Sequence, residues 1–130
     1  ELSAEDASLQ QVFQRYFDLA DEYAFYEVAC SLWQSSYHKG KLYFSTNYMC
    51  FAAPDFKFVL PFIDVARLHV KRTGLLKHGS IEVYGANGSS YDISLLGEFH
   101  EQTELLIRQL WVLNVHHLLE TMHREEALEK

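Results

Sequence analysis

Two cysteines, two prolines and six glycines are all the thiols and backbone breakers in 130 residues. Cys30 and Cys50 lie far apart, each in an apolar strand-like run. That spacing offers neither a disulfide framework nor a metal site, and both read as buried reduced thiols of a cytosolic protein. No apolar run approaches the ~18 residues of a membrane span, and no signal-peptide pattern is present. Positive charge is scarce: 11 Lys and Arg stand against 18 Asp and Glu, for a net charge of −7. Nonspecific nucleic-acid binding needs a basic surface and is not expected. The chain begins with Glu1 rather than Met and reads as a fragment of a longer protein.

Catalytic signatures are missing as well. No G-x-S-x-G is present, and Cys30 has no flanking catalytic pattern. Gly74, Gly79, Gly85 and Gly88 fit neither a phosphate loop nor a dinucleotide fingerprint. His116 and His117 are neighbours on a predicted helix, about 100° apart, and cannot easily share a metal; only His116 and His123 could share a face. No catalytic residue, metal or cofactor is therefore expected.

Apolar residues make up 48% of the chain and aromatics 15%, enough for one packed domain. From Gly40 to Val65, short apolar runs alternate with breakers. Leu42–Phe44 is followed by Ser45, Thr46 and Asn47; Tyr48–Phe51 by Ala53, Pro54 and Asp55; then come Phe58, Val59 and Leu60. Runs of this kind predict successive antiparallel strands, and Pro54 and Pro61 exclude a helix. Upstream, Leu9, Val12, Phe13, Tyr16, Phe17 and Ala20 form the apolar stripe of a helix over about 5–20, with Ser3 and Asp6 as a weak capping box. A first strand runs from near Phe25 to Trp33, and Ser35–Lys41 reads as a hairpin loop around Gly40. Further strands are expected at 56–62, with Pro61 marking an edge or bulge, then at 63–70, 81–84 and 91–95, the last two joined by Asn87-Gly88, a strong hairpin signal. The chain closes with a helix over about 98–126 whose first turn carries Glu98 and Glu101. About seven strands between two helices predict an α+β domain. Its core is expected to include Trp33, Leu42, Phe44, Phe51, Ile63 and Leu110.

Two surfaces are candidates for binding. Charge is uneven: residues 1–36 carry −6, residues 37–78 carry +5 and residues 79–130 carry −6. His38, Lys39, Lys41, Lys57, Lys71, Arg72 and Lys77, with His78 beside them, are candidate ligands for a phosphate or anionic head group if their loops meet at one end of the sheet. The alternative is a solubilising surface. On the last helix, ten of the fifteen residues from Leu105 to Leu119 are apolar, more than one sheet-covering stripe requires. Leu106, Leu110 and Leu113 are assigned to the sheet. Leu105, Val112, Val115, Leu119 and Met122 are left as a candidate partner surface, for the N-terminal helix of the same chain or for another polypeptide.

The run Gly40-Lys41-Leu42-Tyr43-Phe44-Ser45-Thr46-Asn47-Tyr48-Met49-Cys50-Phe51 resembles the G-x-L-Y-x-S-x-N-x-x-C-F signature of GRAM domains. Leu60-Pro61-Phe62-Ile63-Asp64-Val65 is similar to a second family strand, and Phe13, Phe17, Leu19 and Glu22 to its opening motif. Glu27–Trp33 is most like GRAM domains of TBC-type Rab GTPase-activating proteins. The resemblance covers about residues 12–120. It implies a pleckstrin-homology-like (PH-like) fold, a bent seven-stranded sheet or partly open barrel closed by a long C-terminal helix. The implied layout is an N-terminal amphipathic helix at 1–21, a GRAM domain at 22–126 and a tail at 127–130. The implied function is non-catalytic: binding of an anionic membrane lipid, a protein, or other domains of the same polypeptide, so as to localise a membrane-trafficking parent. The implied location is cytoplasmic, peripheral on intracellular membranes. A scaffold without lipid binding is the alternative. The arginine and glutamine motifs of a TBC catalytic domain are absent, so GTPase activation would lie outside this segment.

Overall fold

The computed structural model describes residues 4–19, 21–72, 79–95 and 99–129. Helix α1 (Ala4–Arg15) is followed by strands β1 (Tyr26–Gln34), β2 (Ser36–Phe44), β3 (Tyr48–Ala52) and β4 (Lys57–Pro61). A 3-10 turn (Phe62–Asp64) leads to β5 (Val65–Arg72), β6 (Gly79–Gly85), β7 (Ser90–Leu95) and helix α2 (Phe99–Glu129). The strands form one antiparallel sheet in the order β4-β3-β2-β1-β7-β6-β5. The sheet curls on itself: Phe58 of β4 stacks on Tyr91 of β7 at 4.1 Å, although three strands separate β4 from β7 in the order. This is a PH-like half-barrel. Pro61 ends the edge strand β4, where its missing N–H disturbs no ladder.

The concave face holds the main core. Val28, Cys30 and Leu32 of β1 alternate with outward residues, as do Leu42 and Phe44 of β2, Met49 and Phe51 of β3, Phe58 and Leu60 of β4, and Ile81, Val83, Ile93 and Leu95 of β6 and β7. α2 closes one end with Ile107 and Leu110. A second, smaller core lies on the convex face, where Phe13 and Phe17 cover Tyr43 and Cys50.

Two expected core members are not inside. Period-two alternation puts Trp33 opposite to Leu32, and it is 58% exposed; Ile63 sits outward between buried Phe62 and Val65 and is 52% exposed. The first hairpin is also tighter than the sequence implied. It turns at Ser35, whose φ is 60°, so His38, Gly40 and Lys41 belong to β2. Gly40 is needed for close packing and not for a turn: a Cβ there would lie 2.1 Å from the Ala52 carbonyl oxygen of β3. Gly88, with φ 89°, does turn the β6–β7 hairpin. α1 stops near Arg15 rather than Ala20, because Asp18 takes a left-handed conformation (φ 57°) and Leu19 donates back to the Phe13 carbonyl.

Candidate interaction surfaces

The turn between β2 and β3 explains part of the signature in the sequence. Ser45 Oγ donates to Glu22 Oε1 at 2.9 Å, and Asn47 Nδ2 to Glu22 Oε2 at 3.2 Å. Gln10 ties the same segment down from α1: its amide nitrogen donates to the Glu22 carbonyl, and its oxygen accepts from Ala24 N–H. One carboxylate thus joins the α1–β1 segment to the turn. The Asn47 carbonyl also accepts from Phe62 N–H at 2.9 Å, so the turn holds the entry to the 3-10 turn in place. These residues build the frame. Among the described residues no group of three His, Cys, Asp or Glu is placed to hold a metal ion. Burial pushes the Cys30 and Cys50 thiols up to about 12, which leaves them un-ionised and poor nucleophiles at neutral pH.

The described members of the predicted basic cluster are not brought together. His38 points inward: its Nδ1 lies 3.0 Å from Asp55 Oδ1, its Nε2 3.1 Å from Ser36 Oγ, and its ring stacks on Phe56 at 4.9 Å. The hydrogen bond from His38 holds the Asp55 carboxyl below the usual carboxylate range. The ring is thus occupied in fastening the β3–β4 loop. Lys57 donates to the Tyr16 carbonyl at 3.0 Å and lies over the Tyr16 ring, a cation at the C-terminal end of α1. Lys71 is paired with Glu82 at 2.6 Å. Lys39 and Lys41 are exposed on the convex face of β2. Register separates Lys39 from Lys71 by Ser31, Ser94 and Ser80 on three intervening strands, roughly 19 Å along the sheet. The Arg72 side chain, Lys77 and His78 lie outside the described residues.

α2 presents the expected apolar stripe. Leu105, Val112, Val115, Leu119 and Met122 are all exposed, from 37% at Val115 to 64% at Val112. α1 does not cover them, since it packs on the convex face of β2 and β3. Leu113, assigned from the sequence to the sheet, is 51% exposed. The buried face of α2 is instead His100, Thr103, Ile107, Leu110 and Asn114, at steps of three and four. Thr103 Oγ1 meets Tyr26 OH at 3.1 Å, Asn114 Nδ2 donates to the Thr46 and Leu110 carbonyls at 2.8 Å, and Trp111 Nε1 donates to the Val65 carbonyl at 3.0 Å. Leu106 and Trp111 pack at the flanks. A count of apolar residues alone cannot find a face on which three of the five members are polar.

Among the described residues, two cavities accompany these surfaces. A groove of about 500 Å³ runs between the α1–β1 segment and α2, lined by Leu19, Ile63 and Leu118 among others, with Asp18 and Asp21 also in its wall. A smaller one, about 380 Å³, opens where the β1–β2 and β6–β7 turns meet, with Trp33, Glu82, Tyr91 and Asp92 in its wall. Three of its residues, Trp33, Asp92 and Glu82, belong to one outward row across the sheet, which Tyr37 and His69 extend in register to five successive strands. Glu82 is saturated by hydrogen bonds from Lys71 and from Tyr84 OH, which hold its carboxyl at about 2. Asp92 is not: its Oδ1 is buried and has no hydrogen-bond partner among the described residues. The sequence reading missed this row, although the alternation of Val28, Cys30 and Leu32 already places Trp33 on the opposite face.

Comparison with known proteins completes the picture. The family model described as "GRAM domain" matches residues 11–115. A search of curated proteins finds no match. Among solved structures, the C-terminal domain of an unknown protein from Leishmania infantum is similar at a TM-score of 0.69 and 17% identity, covering 80% of this chain and 98% of that one. The Vps36 N-terminal PH domain is similar at 0.61 and 8% identity, covering 73% and 83%. The PDZ-RhoGEF DH/PH domains, in complex with activated RhoA, are similar at 0.52 and 11% identity, covering 84% of this chain and 33% of that one. At these identities the likenesses establish the PH-like fold alone. The family match spans both the signature turn and most of the half-barrel, and the chain belongs to the GRAM domain family.

Proposed function

We propose that this GRAM domain is a non-catalytic docking module that holds its parent on a membrane by binding a protein through the outward face of α2. The observation that carries this reading is the stripe of Leu105, Val112, Val115, Leu119 and Met122, exposed on a helix whose opposite face already closes the barrel. An apolar face of that length on a soluble domain is characteristic of an interaction site. The similarity of Glu27–Trp33 to GRAM domains of TBC-type Rab GTPase-activating proteins supports a membrane-trafficking parent of that kind, acting at the cytoplasmic side of intracellular membranes. Docking on another domain of the same polypeptide would use the same stripe. A photo-crosslinking amino acid at Val112 or Leu119, introduced into the parent protein in cells, should give one discrete protein adduct. The same probe at Glu27, exposed on β1 away from both α2 and Trp33, should give none. Equal labelling at both positions would count against the reading.

A second reading, direct lipid binding, is supported among the described residues by Lys39 and Lys41, two outward lysines on one strand. Each surface cation near an anionic membrane contributes about 1 kcal/mol, which salt weakens. Co-sedimentation with phosphatidylserine-rich liposomes at low salt, lost in Lys39→Glu/Lys41→Glu, would favour this reading. Binding that is absent, or unchanged by the substitutions, would remove it.

A further inference from the structure

We infer that the cavity beside Trp33 is a recognition pocket for a guanidinium group, the side chain of an arginine on a partner protein. Three independent features converge there. The first is an exposed indole: Trp33 is 58% exposed on the convex face and lines the cavity. A large aromatic in that position gives up burial it could have had on the other face of the strand. The second is a carboxylate with unused capacity. Asp92 lies directly across from Trp33 in the β1–β7 register, and its buried Oδ1 accepts no hydrogen bond among the described residues. An unsatisfied buried acceptor is costly, and a bound donor toward which the carboxylate turned would satisfy it. The third is the surrounding charge. Glu82, across from Asp92 on β6, is neutralised by Lys71 and held by Tyr84, so these groups compensate one another. Asp92 shares only the more distant influence of the Lys71 ammonium, which makes no hydrogen bond to it, and it forms part of the wall of a space of about 380 Å³.

The wall of the cavity narrows the class of cation. Besides Trp33 it contains Ser89, Ser90, Gln34 and Ser35, residues rich in hydrogen-bond acceptors. A quaternary ammonium has no N–H to offer them and would leave Asp92 Oδ1 unpaired. A guanidinium presents five donors in a planar fork, stacks on an indole face and pairs bidentately with a carboxylate. It can meet Trp33 and Asp92 at once. A primary ammonium has donors as well but no plane to stack. The pocket therefore selects arginine over lysine, and both over a neutral isostere. It lies on the convex sheet and does not depend on the apolar stripe of α2, so the two sites can be tested separately.

The test uses the isotopically labelled chain and N-acetyl-arginine amide as the probe. The chain has two tryptophans, and their indole N–H resonances report different places. Trp33 lines the cavity, while Trp111 donates to the Val65 carbonyl beneath α2 and serves as the internal reference. Titration should shift the Trp33 indole signal and leave that of Trp111 in place. The lysine analogue should bind several-fold more weakly, and the citrulline analogue, which lacks the charge, should give no saturable shift. Asp92→Asn should weaken the arginine analogue by about tenfold, the loss of one charge-assisted pair. Because Asn keeps the shape of Asp, an unchanged amide spectrum elsewhere will confirm that the fold survives. Trp33→Leu, read on the Ser90 and Asp92 amides, should weaken binding to a similar degree. The inference is overturned if citrulline binds as well as arginine, if Asp92→Asn binds undiminished, or if the Trp33 signal never moves. Vesicles containing phosphatidylethanolamine, a primary ammonium carried by lipid, should not compete with the arginine analogue; effective competition would assign the pocket to a lipid head group and overturn the arginine assignment.

Discussion

The two faces of α2 invert the usual expectation. The face against the barrel carries His100, Thr103 and Asn114 along with Ile107 and Leu110, whereas the face toward solvent carries Leu105, Val112, Val115, Leu119 and Met122. Burial of Thr103 and Asn114 on the inner face works because specific partners await them, while the buried His100 Nε2 has no hydrogen-bond partner among the described residues. Tyr26 meets Thr103, and the Thr46 carbonyl at the signature turn meets Asn114. The outer face has no such constraint from folding, and its apolar character is free to serve a partner. The convex sheet repeats the contrast on a smaller scale. Lys71, Glu82 and Tyr84 satisfy one another, while Asp92, one strand from Glu82, and Trp33, two strands from it, remain open.

The largest expected effect comes from the inner face. Ile107 is fully buried between α2 and the sheet, and Ile107→Ala should cost about 2–5 kcal/mol in a denaturant titration. A cost no larger than that of Leu105→Ala would mean that α2 is not seated as described. Next comes the polar member. Asn114→Ala removes the hydrogen bond to the Thr46 carbonyl and should cost about 0.5–1.5 kcal/mol, whereas a neutral outcome would show that this hydrogen bond is replaced by water.

A smaller effect sharpens the contrast on the sheet. Glu82 has its carboxyl held at about 2 from an ordinary 4.5, because Lys71 and Tyr84 bond to the ionised form. Its folded-state value is depressed, so its contribution to stability is fully present above about pH 4.5 and is lost as pH falls from there toward 2. Thermal melts across that window should show a slope that Glu82→Gln flattens; an unchanged slope would assign the acid sensitivity elsewhere. The smallest effect belongs to the outer face. Val112→Ser/Leu119→Ser/Met122→Ser should alter folding stability by no more than about 0.5 kcal/mol per site, because all three are about half exposed or more among the described residues.

Most of the architecture was legible in the sequence. Strand number, the Asn87-Gly88 hairpin and the long last helix follow from alternation, turn chemistry and apolar content. What was not legible had particular causes. Gly40 looked like a turn residue because glycine serves both turns and close strand packing, and only the Ala52 carbonyl of β3 distinguishes them. The cations at 38, 39, 41, 57 and 71 looked like one patch because sequence gives spacing along the chain but not the strand order. That order places three strands between Lys39 and Lys71, and the local packing turns His38 inward. Trp33 and Ile63 were read by residue type, although the alternation of their neighbours places both outside. The inner face of α2 was hidden because its polar members are recognisable only once Tyr26 and Thr46 are in place.

The central claim is that the outward face of α2 exists for docking and not for folding. Its most direct test is membrane recruitment of the fluorescently tagged parent protein in permeabilised cells, with and without Val112→Ser/Leu119→Ser/Met122→Ser. The account predicts that the variant folds and stays in solution while the unmodified protein collects on membranes. Equal recruitment of the two would contradict it.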